Sequence, residues 1–163
     1  VGVGTGCISL SILKALSRSR GIGIDICKKT LKNAQKNCEK FAYNNRLKLE
    51  NKTIDQIRSK MFDLIISNPP YVLSRDLNRL SDDIKKFEPK LALDGGNDGL
   101  DVIKKIIYKS KYILKLNGIL ALEIGQGQYV SVSRLLNRNN FREKLIIKDY
   151  QNNIRCIFST IKK

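Results

Sequence analysis

The sequence predicts an α/β fold built on a mostly parallel sheet of seven strands, closed by a terminal antiparallel hairpin. Three observations carry that expectation. Short runs rich in Ile and Leu alternate along the 163 residues with longer segments of helical periodicity. A glycine-rich junction opens the chain, and a central apolar run ends abruptly at two prolines. The last two apolar runs lie close together, as the arms of a hairpin do.

Composition sets the outer bounds. A chain of 163 residues is long enough for one domain with its own core, expected here to span residues 1–163. No apolar run approaches the ~20 residues that a membrane helix needs, and the start carries no signal-peptide apolar region. The chain opens at Val1 inside a glycine motif, without a methionine, as a truncated reading frame would. Lys and Arg number 31 against 15 Asp and Glu, a formal net charge of +16. Such an excess attracts polyanions such as RNA or the ribosome. Lys, Asn and Ile crowd the whole chain, however, as an AT-rich coding bias would also produce, so charge suggests a partner class without naming one. The four cysteines form no C-x-x-C pair and there is no histidine. That leaves a zinc site without ligands and removes a His-based triad, so no metal is expected. Scattered cysteines read as reduced, small core residues of a cytoplasmic protein.

In order along the chain, residues 1–6 read Val-Gly-Val-Gly-Thr-Gly, followed by Ile8, Leu10, Ile12, Leu13 and Leu16 at helical spacing. This is the tail of a first strand, a glycine turn and a helix, with Gly2, Gly4 and Gly6 letting the backbone approach a ligand. The spacing G-x-G-x-G differs from the G-x-G-x-x-G of dinucleotide folds and favours adenosylmethionine over NAD. No Lys follows as in a P-loop. Residues 17–20 are a polar connection, and Gly21–Asp25 reads as a buried strand ending in a carboxylate. Asp25 lies about twenty residues past the glycines, the interval at which a crossover delivers an acid to a ribose diol. The alternative role for Asp25 is to cap the helix that starts near Lys28, and the two roles are compatible.

Leu31, Ala34, Cys38 and Phe41 share one helical face, and residues 46–50 form a short third strand. Phe62–Ser67 is a buried strand that breaks into Asn68-Pro69-Pro70-Tyr71. Each proline fixes φ, and the residue before a proline is pushed out of the α region, so Asn68 and Pro69 are held extended. The Asn amide oxygen and the Pro carbonyl then stand side by side as acceptors for a substrate NH₂ group. A bland role is open to the same residues, with the prolines stopping a strand and Tyr71 covering the core.

Residues 72–86 are polar, a loop or short helix beside the site. Phe87-Glu88-Pro89 leads through Leu91-Ala92-Leu93 to the turn Asp94-Gly95-Gly96-Asn97-Asp98-Gly99-Leu100, where Asn97 or Asp98 is positioned to cap the next helix. That helix carries Leu100, Ile103, Ile106, Ile107, Ile113 and Leu114 toward the core. Asn117-Gly118 turns the chain into a strand over residues 119–125; residues 126–137 form another amphipathic helix, and residues 145–149 and Ile154–Ile161 are the hairpin.

Gly2-x-Gly4-Thr5-Gly6, Asp25, Ser67-Asn68-Pro69-Pro70-Tyr71, Phe87-Glu88-Pro89 with its Leu-Asp-Gly-Gly-Asn-Asp-Gly-Leu segment, and Leu122-Glu123-Ile124-Gly125 occur in one order. In that order they resemble the HemK family of protein-(glutamine-N5) methyltransferases, which modify the glutamine of the Gly-Gly-Gln motif in peptide chain release factors. The resemblance implies a Rossmann-like catalytic domain with S-adenosylmethionine as cofactor. The family's helical N-terminal domain and the start of its first strand, which carries an acid, are not in this sequence. It assigns the cofactor to Gly2, Gly4, Thr5, Gly6, Asp25 and Asn68. It gives Asn68, Pro69 and Tyr71 to catalysis, and the substrate to Asn68, Pro69, Pro70, Tyr71 and Glu88. Where related enzymes often carry an Asp for the adenine amino group, this chain has Asn51, Lys52 and Thr53, with Asp55 close by. The implied partner is a release factor and the expected state a monomer. Alternatives are glutamine methylation of a ribosomal protein, amino-group methylation of a base in rRNA or DNA, and a fragment without activity.

Overall fold

The computed structural model describes residues 1–58 and 62–162. The chain divides into two compact units, Val1–Ile57 and Arg58–Lys163.

In the first unit, helix α1 (Cys7–Ala15) follows the glycine loop, and strand β1 (Gly21–Asp25), helix α2 (Lys28–Lys40) and strand β2 (Leu47–Asn51) complete a βαβ crossover. β1 and β2 pair in parallel, Gly21 opposite Leu47 and Asp25 opposite Asn51. Leu10 and Leu13 from α1, Cys38 from α2 and Leu47 from β2 pack as one apolar cluster, flanked by Tyr43 and Leu49. The helical spacing thus reports the core correctly at Leu10 and Leu13, whereas Ile8 and Leu16 lie on the exposed side. Arg46 closes the carboxyl end of α1, donating to the carbonyls of Leu13 and Leu16 at 2.7 Å each. A cation suits that end of a helix, where carbonyl groups lack intrahelical partners.

The second unit holds strand β3 (Phe62–Ser67), the short helices α3 (Asp82–Phe87) and α4 (Lys90–Leu93), helix α5 (Asp101–Ile113), strand β4 (Leu114–Glu123), helix α6 (Tyr129–Arg138) and strands β5 (Phe141–Lys148) and β6 (Ile154–Ile161). The four strands lie in the order β3-β4-β6-β5. β3 and β4 run parallel, and β6 is antiparallel to both β4 and β5. Ile103, Ile106 and Ile107 of α5, Leu120 and Leu122 of β4, Val132 and Leu136 of α6, and Ile157 of β6 are all fully buried and supply the core of this unit.

Three expectations need correction. Among the described residues there are six strands, not seven, and they form a two-stranded and a four-stranded sheet. The missing strand is the first. Gly2 already has φ of +63°, which turns the backbone out of the extended region before a strand can run. Nor is the pairing mostly parallel, because β6 enters between β4 and β5 and contributes two of the four pairings as antiparallel. Asn117-Gly118 is not a separate turn either. It lies within β4, where the partner of Phe62 is Leu114 and that of Leu64 is Ile119, so the extra residues are absorbed as a bulge.

Candidate active site

The glycine loop of the first unit is shaped by three left-handed glycines, Gly2, Gly4 and Gly6, at φ of +63°, +57° and +84°. Alternation of such residues with Val3 and Thr5 folds the loop back, so that Val3 N–H donates to the Ile24 carbonyl at 2.9 Å and Gly6 N–H to the Val3 carbonyl at 2.9 Å. Asp25 clips this loop to β1. One carboxylate oxygen accepts from Gly4 N–H at 3.0 Å and the other from Cys27 N–H, at the start of α2, at 2.9 Å. Both roles weighed for Asp25 are therefore compatible with its position, since a carboxylate has about four lone-pair directions and two are used here. A Cβ on Gly4 would meet nothing nearer than the Gly2 carbonyl oxygen at 4.0 Å. The space above the loop is open, and a side chain there would fill it. Asn51 donates to the carbonyls of Asp25 and Ile26 at 2.9 and 3.0 Å, so its amide orders the backbone at the end of β1. Gly2, Gly4, Thr5, Gly6 and Asp25 are thus brought together at one end of the β1–α2 crossover.

In the second unit, β3 delivers Asn68-Pro69-Pro70-Tyr71 at its carboxyl end. Asn68 is exposed, Pro69 buried, and Pro70 and Tyr71 half-buried. Among the described residues the Asn68 side chain makes no hydrogen bond, which leaves its amide oxygen uncommitted. Tyr71 is the opposite. Its hydroxyl accepts from Arg155 Nη2 at 3.0 Å, and the Arg155 guanidinium lies 5.4 Å from the centre of its ring. Its carbonyl accepts from Gln128 Nε2 at 3.1 Å.

The chain beyond Tyr71 is held by the Asp-Gly-Gly turn. Val72 pairs with Asp94 in an isolated bridge, with Val72 N–H on the Leu93 carbonyl at 2.9 Å and Gly95 N–H on the Val72 carbonyl at 2.8 Å. A Cβ at Gly95 would sit 2.8 Å from the Tyr71 Cα, so only glycine permits this approach. Asp94 accepts from Ser74 Oγ at 2.6 Å and from Gly96 N–H at 3.0 Å, and these bonds, the hydroxyl's first, hold its carboxyl below the usual range. Neither capping candidate caps α5, whose N-cap position is Leu100 without a side-chain bond; Asp98 instead closes a local turn, accepting from Leu100 N–H at 3.1 Å.

Arg155, Gln128 and Glu123 complete the surroundings of Tyr71. Arg155 bridges Tyr71 and Glu123, whose carboxylate is 3.5 Å away. Burial opposes the arginine's charge, but the Tyr71 bond and the neighbouring carboxylates outweigh it and raise its pKa. Gln128 joins three segments. It donates to the carbonyls of Tyr71 and Gly99 at 3.1 Å each, and its amide oxygen accepts from Gly125 N–H at 2.8 Å. Beside these groups lies a cleft of about 410 Å³ lined by Tyr71, Val72, Leu73, Asp98, Gly125 and Gln128 among others. Glu88 is not part of this arrangement: it is exposed between α3 and α4, outside the lining of the cleft. The roles of Arg155 and Gln128 were not foreseen from the sequence. Arg155 does leave a trace, as the one charge in the otherwise uncharged strand Ile154–Ile161. Among the described residues no three His, Cys, Asp or Glu side chains gather as a metal site, and no helix is long and apolar enough to cross a membrane.

Comparison with known proteins gives consistent results. The family described as Eco57I restriction-modification methylase matches residues 8–159. A release factor glutamine methyltransferase from Geobacter sulfurreducens is 34% identical over 149 residues, covering 91% of this chain and 52% of the relative. One of the same description from Clostridium botulinum is 37% identical over 157 residues, covering 94% and 56%. The chain therefore spans about half the length of the curated relatives it matches. Among solved structures, a methyltransferase from Pyrococcus furiosus superposes with a TM-score of 0.72 at 15% identity, covering 99% of this chain and 73% of that one. Magnesium protoporphyrin IX methyltransferase from Synechocystis, solved with SAM bound, gives 0.61 at 17% identity, covering 99% and 67%. These likenesses establish the Rossmann-like methyltransferase fold and bear out the family resemblance read from the sequence.

Proposed function

The chain belongs to the Eco57I restriction-modification methylase family, and from that premise we propose that it methylates the side-chain amide of a protein glutamine, that of the Gly-Gly-Gln motif in peptide chain release factors. The observation that carries this reading is the Asn-Pro-Pro-Tyr loop at the end of β3, with a free Asn68 amide and a Tyr71 held at both its hydroxyl and its carbonyl. The similarity to release factor glutamine methyltransferases over nearly the whole chain supports the choice of substrate.

S-adenosylmethionine fits the donor set of the first unit, and when bound it supplies a methyl group on a positively charged sulfur. The open face of Gly4, with Gly2, Thr5 and Gly6, accommodates it closely, and the unused lone pairs of Asp25 accept the ribose hydroxyls. Asn68 Oδ1 and the Pro69 carbonyl accept the two N–H groups of the target amide. An amide nitrogen is a weak nucleophile because its lone pair is shared with the carbonyl. Two fixed acceptors orient it and favour the positive charge that develops as the bond forms. Pro69 and Pro70 hold the acceptors extended, and Tyr71 packs against the aliphatic part of the glutamine. No side chain has to take a proton before transfer.

The experiment is incubation of the chain with labelled S-adenosylmethionine in the presence of a release factor, a ribosomal protein fraction, rRNA and DNA. Label in the release factor supports the proposal. A second reading, amino methylation of a base, is favoured by the family description and by the +16 charge, since an extruded base also presents a planar NH₂. Label in nucleic acid alone would select it.

A further inference from the structure

The outer face of α5 belongs to neither the glycine loop nor the Tyr71 surroundings. The inner face of this helix is fully buried through Ile103, Ile106 and Ile107. Its outer face carries Lys105, Tyr108, Lys109, Lys111 and Tyr112. The two tyrosines are 57% and 56% exposed, a waste of apolar area for surface positions in water. Their rings meet edge to face, with centroids 5.3 Å apart and planes at 66°, and Lys111 Nζ stands 5.7 Å from the Tyr112 ring centre.

The lysines divide into two groups. Those at the ends are neutralised: Lys104 by Asp98 at 2.6 Å and Asp101 at 3.5 Å, and Lys115 by Asp63 at 2.7 Å. Lys105, Lys109 and Lys111, which flank the rings, have no carboxylate within ion-pair distance among the described residues. The protein therefore pairs its helix-end cations and leaves a cationic stripe around two ring faces.

We propose that this face of α5 binds single-stranded RNA, with Lys105, Lys109 and Lys111 on successive phosphates and Tyr108 and Tyr112 as a platform for unpaired bases. Charge complementarity selects a polyanion, and the exposed ring pair selects one that carries planar groups. A duplex, whose bases are already stacked, has no use for the rings. The face is separate from the residues assigned to methyl transfer, so the proposal does not depend on the substrate of that reaction.

The test is fluorescence-anisotropy titration of the full chain with a labelled single-stranded RNA across a salt series. A triple charge reversal, Lys105→Glu, Lys109→Glu and Lys111→Glu, and a double variant, Tyr108→Ala with Tyr112→Ala, are compared after their circular-dichroism melts are matched to the parent. Three phosphate contacts contribute about −2 to the slope of log affinity against log salt. The charge reversal is expected to flatten the slope by about that amount and to weaken binding at least about tenfold at low salt. The tyrosine variant is expected to weaken binding about tenfold while leaving the slope unchanged. The proposal is overturned if RNA does not bind, if the charge reversal binds as the parent does, if the tyrosine variant matches the parent, or if anionic lipid vesicles bind and RNA does not.

Discussion

Gln128 of the loop before α6 donates a hydrogen bond to the carbonyl of Tyr71 at 3.1 Å, across fifty-seven positions of sequence. The same amide group donates to Gly99 and accepts from Gly125, so one side chain fixes three loop segments with all of its polar atoms. Replacing it by Glu keeps the shape and reverses the chemistry. Above the carboxylate range the new group faces two carbonyl oxygens with no proton to give. We expect Gln128→Glu to lower kcat at neutral pH and to recover relative to the parent as pH falls and the carboxyl gains a proton. A pH profile parallel to that of the parent would contradict this role.

Arg155 holds Tyr71 by its hydroxyl and its ring, and its charge is balanced by Glu123. Arg155→Met keeps most of the length and leaves the Tyr71 hydroxyl and the Glu123 carboxylate without this partner. A loss of about 1–3 kcal/mol in urea unfolding is expected, the range for orphaning a partly buried polar group. An unchanged midpoint would show that the three groups are not energetically coupled.

The sequence made most of this architecture legible, and the reasons it failed elsewhere are local. Helices α1, α2, α5 and α6 and the six strands are written largely in the spacing of Leu and Ile, because burial of one face imposes the period; α3 and α4 bury no residue and leave no such pattern. The Asn-Pro-Pro-Tyr loop and the glycine loop were legible because proline and glycine restrict or widen φ regardless of context. The count of seven included a first strand expected only as a truncated tail, and that tail does not pair as a strand among the described residues, where Gly2 turns left-handed. The anchoring of Tyr71 was not legible at all. Gln128 and Arg155 reach it from 57 and 84 positions away, and no local pattern records a contact of that range. Glu88, like Asn68, is exposed, so neither position is explained by the burial that makes the helices and strands legible.

Asn68 is exposed with a free amide, so its removal should not disturb the fold. Asn68→Ala is expected to cut turnover by about 10²–10³, the usual effect of deleting one polar stabiliser of a transition state. Cofactor affinity by calorimetric titration should stay within a few-fold of the parent. Equal losses in both would assign Asn68 to the cofactor and not to the amide.

Acid stability carries a separate signature. Glu50 of β2 accepts from Lys48 at 2.7 Å and Lys52 at 2.8 Å, and these two bonds, that of Lys48 first, hold its carboxyl at about 2. A carboxyl whose folded value is depressed stabilises the fold above its ordinary value of about 4.3 and loses that contribution as pH falls toward the folded value. The gap in melting temperature between the parent and Glu50→Gln should therefore be constant above pH ~5 and close between about 4.5 and 2. A gap that stays constant through that window would mean the two lysines do not hold Glu50 in solution.

The most direct measurement is mass spectrometry of a release factor after incubation with the chain and S-adenosylmethionine, beside a release factor in which the glutamine of Gly-Gly-Gln has been replaced by alanine. One added methyl group is expected on the peptide containing that glutamine and none on the altered protein. Methylation of both proteins alike, or of neither while the folded chain binds the cofactor and methylates another substrate, would contradict it.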